Sequence, residues 1–521
     1  MCNYITESAA WGDLGDGFYR NPILPADYSD PDIIRVGDDY YLITSTFVMS
    51  PGITLLHSRD LVNWEIIGGT VRDITQISPR HSYTEMNTYG RGIWAPAISY
   101  NERQKRFYIH FCDPDHGLYM IYTDDIHGQW SDVHEMLLPD GTGFGAGWDD
   151  CAVLWDDDGA YFAAVNFADN YKDYIFKLSC DGYHLLDRGV VVHQSGDGLY
   201  PKEERNPEAL KLFRRDGMYY IFHNGVVGGK RKAFVMKSAN IYGKYEHMPF
   251  PIVEGYREPN QGNIVDIPAD DGTVKWYFLT HHGLTAEDGR PLSLIPVTWN
   301  KDGWPVAGEL TQEAIEKPVK QSMKVYPQTS DNFEGETLGA QWMWNYQPRD
   351  DFWSLTERPG FLRLYAFKPL TEGALNKAGN SLLQRMYRSD STVTIKMDIS
   401  HMTDGQFAGL LYMMGARAAG IGVCRRDGVS CLRFKCDSED LEGCAIPRTV
   451  HNIYLKAEWQ TDMLIRSSYS FDGVTYIPFG SEYQVRGSNY RGGHIGLFCY
   501  SDISESGYVD ISFFRYDLQH K

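Results

Sequence analysis

Three acidic residues stand just ahead of apolar strands at recurring places in the chain. They are Asp30 in Tyr28-Ser29-Asp30-Pro31-Asp32, Asp150 in Trp148-Asp149-Asp150-Cys151, and Glu208 in Asn206-Pro207-Glu208-Ala209. Asp150 and Glu208 each precede a turn glycine, Gly159 and Gly217, by nine residues. Carboxyl groups gathered in one pocket resist ionising together, so their pKa values spread apart. Such a spread suits hydrolysis, with one carboxylate as base, one protonated acid and a third tuning the acid. An isolated Asp in a turn has a plainer use as a backbone cap, and that is the reading for Asp38, Asp39, Asp156 to Asp158 and Asp216.

The elements that must position these acids are strands. An aromatic, β-branched run following a turn returns five times: Tyr40-Tyr41-Leu42-Ile43, Phe107-Tyr108-Ile109, Tyr161-Phe162, Tyr219-Tyr220-Ile221 and Trp276-Tyr277-Phe278. The spacing of about 55 to 67 residues fits a four-stranded blade with its loops. A second element recurs behind some of them, as Ser58-Arg59-Asp60-Leu61-Val62-Asn63-Trp64, Thr123-Asp124-Asp125-Ile126 and, more weakly, Ser238-Ala239-Asn240-Ile241. Five such repeats predict an all-β chain that opens with a five-bladed β-propeller over residues 1–325. Its inner strands converge on one axis, which would make Asp30, Asp150 and Glu208 neighbours. Helical periodicity is confined to a trace over residues 310–317, and the polar stretch from Lys317 to Ser330 reads as a linker. Alternating strands without the blade repeat then predict a β-sandwich over residues 326–521.

The chain has 521 residues and a formal charge of −20, which repels phosphate backbones and anionic lipid. Neither a nucleic acid nor a membrane is expected as partner. No apolar run approaches the roughly 20 residues that span a bilayer. The first residues lack a basic stretch followed by an apolar one, so the expected location is cytoplasmic, or secreted after removal of a signal. The nine cysteines lack zinc-site spacing and read as reduced thiols.

In order along the chain, Asn21-Pro22-Ile23, Asp30-Pro31-Asp32, Ser45-Thr46-Phe47, His57-Ser58-Arg59-Asp60, Arg91-Gly92-Ile93-Trp94-Ala95-Pro96, Trp148-Asp149-Asp150-Cys151, Glu208 and Gly289-Arg290 resemble glycoside hydrolase family 43. The later segments Asp331-Asn332-Phe333, Trp353-Ser354-Leu355 and Leu382-Leu383-Gln384-Arg385 are similar to the concanavalin-like, jelly-roll sandwich of that family's β-xylosidases. The resemblance implies inverting, metal-independent hydrolysis. Asp30 would be the general base, Glu208 the general acid and Asp150 the residue that orients Glu208 and raises its pKa. Arg290 would clamp the sugar, and Phe47 and Trp94 would wall its subsite. The implied activity is exo-acting release of terminal β-D-xylose, and also α-L-arabinofuranose, from xylan- or arabinose-containing oligosaccharides. An endo-arabinanase and a non-catalytic carbohydrate-binding propeller are the alternatives, and a homo-oligomer is left open.

The chain departs from the family in several places. Asn260-Gln261-Gly262 stands where the family usually has His-Gln-Gly, which argues against the calcium often found near that histidine. No cofactor is therefore expected. Ala209 follows Glu208 where Gly is usual, and Glu203 and Glu204 are rivals for the role of acid. The stretch 226–232 looks like an addition and reads as a solvated surface turn.

Overall fold

The computed structural model describes residues 11–200, 204–255, 261–269, 272–281, 289–311, 313–320, 322–486 and 491–518. Five antiparallel sheets form the blades, the fourth with five strands and the others with four, each built from strands that follow one another in sequence except that the first passes over Met49–Ser50. Their innermost strands are Asp32–Val36, Trp94–Asn101, Trp148–Trp155, Arg205–Arg215 and Gly262–Pro268. The aromatic repeat runs are the second strands, Asp39–Thr44, Arg106–Asp113, Ala160–Asn166, Met218–Val227 and Val274–His281.

Blade packing accounts for the composition of those strands. In the third blade Phe162 and Ala164 face a core shared with the second, which holds Tyr108 and Met120. Tyr161, Ala163 and Val165 face the fourth, where Leu210, Leu212 and Ile221 wait. Alternate side chains enter opposite cores, so a blade strand must be apolar on both faces. The tight turns between strands need left-handed backbone, as at Asp216 (φ +50°) and Gly217 (φ +77°).

The ring closes through the N-terminal segment. Phe18–Tyr19 pairs with Ile315–Glu316, and the Ile23 amide donates to the Leu292 carbonyl at 2.7 Å. The trace of helical periodicity over 310–317 is therefore overturned: its described residues are coil and a short strand. Pairing with the closing segment supplies the backbone bonds that a helix would have made.

The C-terminal sandwich stacks two large antiparallel sheets. One includes Gln406–Met414, Arg417–Arg426 and His494–Ser501, and the other Ser391–Asp398, Asn452–Trp459 and Tyr508–Leu518. A single buried cluster runs from Tyr28, Leu56 and Leu292 of the propeller into Trp344, Tyr387 and Leu410 of the sandwich. Met49–Ser50 of the first blade even joins the sandwich sheet, opposite Met343–Asn345. The polar stretch read as a linker is a strap held on both sides. Its Val325 amide donates to Asn63 Oδ1 at 2.8 Å, and Thr329 Oγ1 donates to the Tyr516 carbonyl at 2.8 Å. The eight cysteines among the described residues are all free thiols.

Candidate active site

Three of the five inner strands begin irregularly, and the irregular residues face one pocket. A bulge at Asp149/Cys151 turns Asp150 out of the ladder, and two register shifts flank Glu208. A third shift lies between Trp94 and Ala97. Bulges re-aim side chains at sheet ends. Backbone conformation agrees: Asp30 (φ +53°), Phe47 (+57°), Ala95 (+33°), Asp150 (+40°) and Asn206 (+51°) are all left-handed.

The pocket is about 180 Å³ in volume, and Asp30, Phe47, Trp94, Asp150, Glu208 and Arg290 all line it. It also takes in Asp149, Tyr171, Asn206, Arg231 and Gln261. A wider groove of about 680 Å³ runs along the seam with the sandwich, but its carboxylates, Asp73, Asp132 and Asp350, are not buried. Charge concentrated in a closed site marks the smaller pocket as the chemical one.

Asp30 and Arg290 meet because the Tyr28 amide donates to the Arg290 carbonyl at 3.1 Å, zipping the N-terminal loop onto the fifth blade. Arg290 Nη1 then stands 2.5 Å from Asp30 Oδ1. The Asp30 amide donates to Nδ1 of buried His281 at 2.8 Å. On the opposite side, Arg231 Nη1 lies 2.5 Å from Glu208 Oε1 and donates to Asn224 Oδ1 at 3.0 Å. The stretch 226–232 is a hairpin turn whose tip, Gly228 to Lys230, is solvated as expected, but its returning strand delivers Arg231 to the pocket, which the expectation of a plain surface turn missed.

Between these pairs lie Asp149 and Asp150. Asp150 Oδ2 accepts the Ala209 amide at 2.6 Å, and Oδ1 is in contact with Gln261 Nε2. Asp150 thereby holds the backbone of the residue next to Glu208. Asp149 Oδ1 accepts the Cys112 thiol at 3.0 Å and the Asp150 amide at 2.8 Å. Burial, reinforced by Asp149 and Glu208, lifts the Asp150 carboxyl well above the usual range. Burial likewise lifts Asp149 to about 7, with Glu208 and Asp30 adding to the rise.

Phe47 and Trp94 are fixed through close backbone approach. Phe47 exchanges two backbone hydrogen bonds with Ile93, at 3.1 and 3.0 Å. A Cβ on Gly92 would stand 2.6 Å from the Phe47 carbonyl oxygen, so only glycine fits there. The two rings meet edge-on at 6.5 Å. Among the described residues the sandwich adds no lining side chain. Its contribution comes from behind, where the buried Arg491 guanidinium lies 4.8 Å from the Phe47 ring and donates to the Thr46 carbonyl at 3.1 Å.

Below the pocket, all five inner strands meet at the axis. Asp32 accepts the Ile98 amide and Asn263 Nδ2, both at 2.9 Å, and buried Lys211 Nζ lies 3.6 Å from Asp32 Oδ1. The Lys211 charge also acts on the Cys151 thiol. Of the rivals to Glu208, Glu204 is fully buried among histidines outside the pocket, and Glu203 lies outside the described residues, as does Asn260. Arg231, His281 and Asp149 were missed as site residues; a polar residue closing an apolar strand, as His281 does, was the available signal.

A propeller whose axial pocket gathers carboxylates between two guanidinium groups defines a glycoside hydrolase. The family model described as glycosyl hydrolases family 43 matches residues 19–305, and one described as the β-xylosidase C-terminal concanavalin A-like domain matches residues 330–517. A β-xylosidase of Formosa agariphila is 34% identical over 98% of this chain and 92% of its own. A non-reducing-end α-L-arabinofuranosidase of Bacteroides ovatus is 27% identical over 76% of this chain and 74% of its own. A solved structure described as a bifunctional GH43-CE protein of Bacteroides eggerthii superposes with TM-score 0.83 at 27% identity, covering 99% of this chain and 64% of that one. The chain belongs to glycoside hydrolase family 43.

Proposed function

We propose that this enzyme removes single terminal pentoses, β-D-xylose first and α-L-arabinofuranose second, from the non-reducing ends of short xylan- or arabinose-containing oligosaccharides, with inversion. The observation that carries this is one small pocket containing Asp30 with Arg290 on one side and Glu208 with Arg231 on the other. A hollow of about 180 Å³ suits one sugar ring better than a bound polymer. The names of the relatives support both sugars.

In this reading Arg290 holds the Asp30 carboxylate toward a water, and Asp30 takes the proton as that water attacks the anomeric carbon. Glu208 gives its proton to the departing oxygen. Arg231 must yield Glu208 when the leaving sugar enters, because a guanidinium on the carboxylate occupies the site of the transferred proton. Asp150 acts through the Ala209 amide, fixing the direction of Glu208.

The chemistry needs no metal at the axis, and the residues there do not fit calcium. Calcium takes six or more oxygens, whereas both Asp32 oxygens are committed to N–H donors and the Lys211 ammonium stands beside them. Added calcium should change neither Tm nor kcat.

The deciding experiment is hydrolysis of p-nitrophenyl β-D-xyloside, p-nitrophenyl α-L-arabinofuranoside and xylobiose, with the anomer of the released sugar followed by NMR. Monosaccharide of inverted configuration is expected from all three. Oligosaccharides released from linear arabinan, without monosaccharide, would refute exo action.

A further inference from the structure

The seam between the third and fourth blades buries a polar cluster that the hydrolytic pocket does not use. Asp173, on the strand Lys172–Leu178, sits directly opposite His193 in the third-blade ladder. His223 reaches the same point from the second strand of the fourth blade, and Glu204 from just ahead of its first strand. Relative exposure is 0% for Asp173 and Glu204 and 2% for both histidines.

These groups do not satisfy one another. Neither carboxylate oxygen of Asp173, nor Nε2 of His193 or His223, has a hydrogen-bond partner among the described residues. Such orphaned polar groups are rare in a folded interior and require a reason. The comparison within this molecule is His81, Asp113 and His116. There His81 Nε2 bonds one Asp113 oxygen at 2.6 Å and the Asp115 amide donates to the other at 2.9 Å, so the carboxylate of that group, unlike that of Asp173, is satisfied.

Three of these groups stand at ligand spacing, and Glu204 borders them from the histidine side. One donor atom from each of Asp173, His193 and His223 lies within 4.8 Å of the others. Glu204 Oε1 stands 3.3 Å from His223 Nε2 and 3.9 Å from His193 Nε2. Bonds of roughly 2.0–2.1 Å in a tetrahedron put ligand atoms about 3.3–3.4 Å apart. The backbone leaves room for Glu204 alone: a Cβ on Gly198 would fall 1.6 Å from its Oε2, and one on Gly225 would fall 3.0 Å from its Cγ.

We propose that Asp173, His193, His223 and Glu204 bind one zinc ion, which staples the third blade to the fourth. Two carboxylates balance the charge of a divalent ion, and two imidazoles with two carboxylates are a zinc donor set. Calcium, which wants six to eight oxygens, is a poor fit. The site departs from the sequence expectation of no metal, because its ligands come from four strands or strand ends and carry no motif spacing. Its role is structural. Glu204 opens the strand that carries Glu208, and His223 adjoins Asn224, which holds Arg231 against Glu208. The ion therefore braces the acid's strand from the face opposite the sugar.

The test uses the full chain, stripped with a strong chelator and then dialysed against zinc, cobalt(II) or calcium, with bound metal measured by mass spectrometry and Tm by calorimetry. One zinc per chain, a Tm raised by several degrees, and a cobalt(II) absorption spectrum of four-coordinate type are expected, with no uptake of calcium. The paired variant Asp173→Asn with His223→Gln should lose stoichiometric zinc, while the wild-type measurements stand even if that variant folds poorly. A stripped wild-type chain that takes up no zinc and shows no Tm response overturns the proposal. So does a folded paired variant that still binds one equivalent.

Discussion

Replacing Asp149 by asparagine should stabilise the protein at neutral pH, by an amount that depends on pH in a defined direction. Asp149 Oδ1 accepts the Cys112 thiol and the Asp150 amide. Asparagine keeps a carbonyl oxygen for both bonds, so the substitution removes charge without removing a contact. Burial first, then the Glu208 and Asp30 carboxylates, raise this carboxyl from 3.8 to about 7 in the fold. In the unfolded chain the group ionises near its ordinary value. Between about pH 4 and 7 the unfolded state therefore releases a proton that the folded state keeps, and stability falls as pH rises. Above about 7 both states are ionised and the loss is complete. A shift of roughly 3 units corresponds to about 4 kcal/mol, which solvent reaching half-buried Asp149 reduces to about 1–3 kcal/mol. Calorimetry of both proteins from pH 4 to 8.5 checks this. The Tm of Asp149→Asn should match wild type near pH 4, exceed it progressively up to pH 7, and run parallel above. The activity cost follows from the same charge: after burial, Asp149 is the leading reason Asp150 resists ionisation, so kcat should fall. A Tm difference that is constant across pH 4 to 7, or a variant less stable at pH 7, would refute the reasoning.

Four further outcomes are expected. Asp30→Asn should cost on the order of 10²-fold or more in kcat on every substrate, whereas Glu208→Gln should cost as much on xylobiose and far less on p-nitrophenyl xyloside, whose leaving group needs little protonation; equal losses on both would remove Glu208 as acid. Arg290→Lys keeps a charge near Asp30 but loses the fork, so kcat/KM on both pentosides should fall about tenfold or more, and unchanged xylose affinity by titration calorimetry would make Arg290 merely structural. Arg491→Met should destabilise the chain by about 3 kcal/mol by removing the ion-pair partner of the buried Asp27 carboxylate, with Arg385 left as the remaining nearby guanidinium, and KM should rise as Phe47 loses support; a variant with wild-type Tm and KM contradicts that.

The repeat was legible because a blade strand is buried on both faces, which writes runs such as Tyr219-Tyr220-Ile221 into the chain at every turn of the propeller. The acids were legible only through their offset from that repeat and through the resemblance. Period-two alternation could not have aimed them, because bulges at Asp150 and Glu208 break the alternation at the residues that matter. Arg231 was hidden by a different cause. A Gly-Gly turn followed by Lys230-Arg231-Lys232 has the composition of a solvated turn, and nothing local reports that Arg231 leans over a neighbouring carboxylate. Glu204 was set aside by burial, a property that its adjacent Glu-Glu-Arg sequence masks. Arg491 could not be found at all, since its partners Asp27 and Thr46 lie more than 400 residues away.

That last contact changes what the sandwich is for. Six non-glycine residues of the pocket are left-handed, each costing on the order of 1–3 kcal/mol unless the surroundings over-determine it. Phe47 is held from one side by its bonds to Ile93 and from the other by Arg491, while Arg385 of the sandwich donates to the Asp27 carbonyl at 2.6 Å and to Thr54 Oγ1 at 2.8 Å. Asp27 lies three residues before Asp30, so the two sandwich arginines pin the N-terminal end of the loop that carries the proposed base. An accessory domain that only walled the pocket would meet the sugar side of Phe47 and leave this loop alone. These buried cations reach the back of it, 4% and 5% exposed, where no substrate goes. The sandwich is therefore a brace, converting interface energy into a fixed position for Asp30 and Phe47.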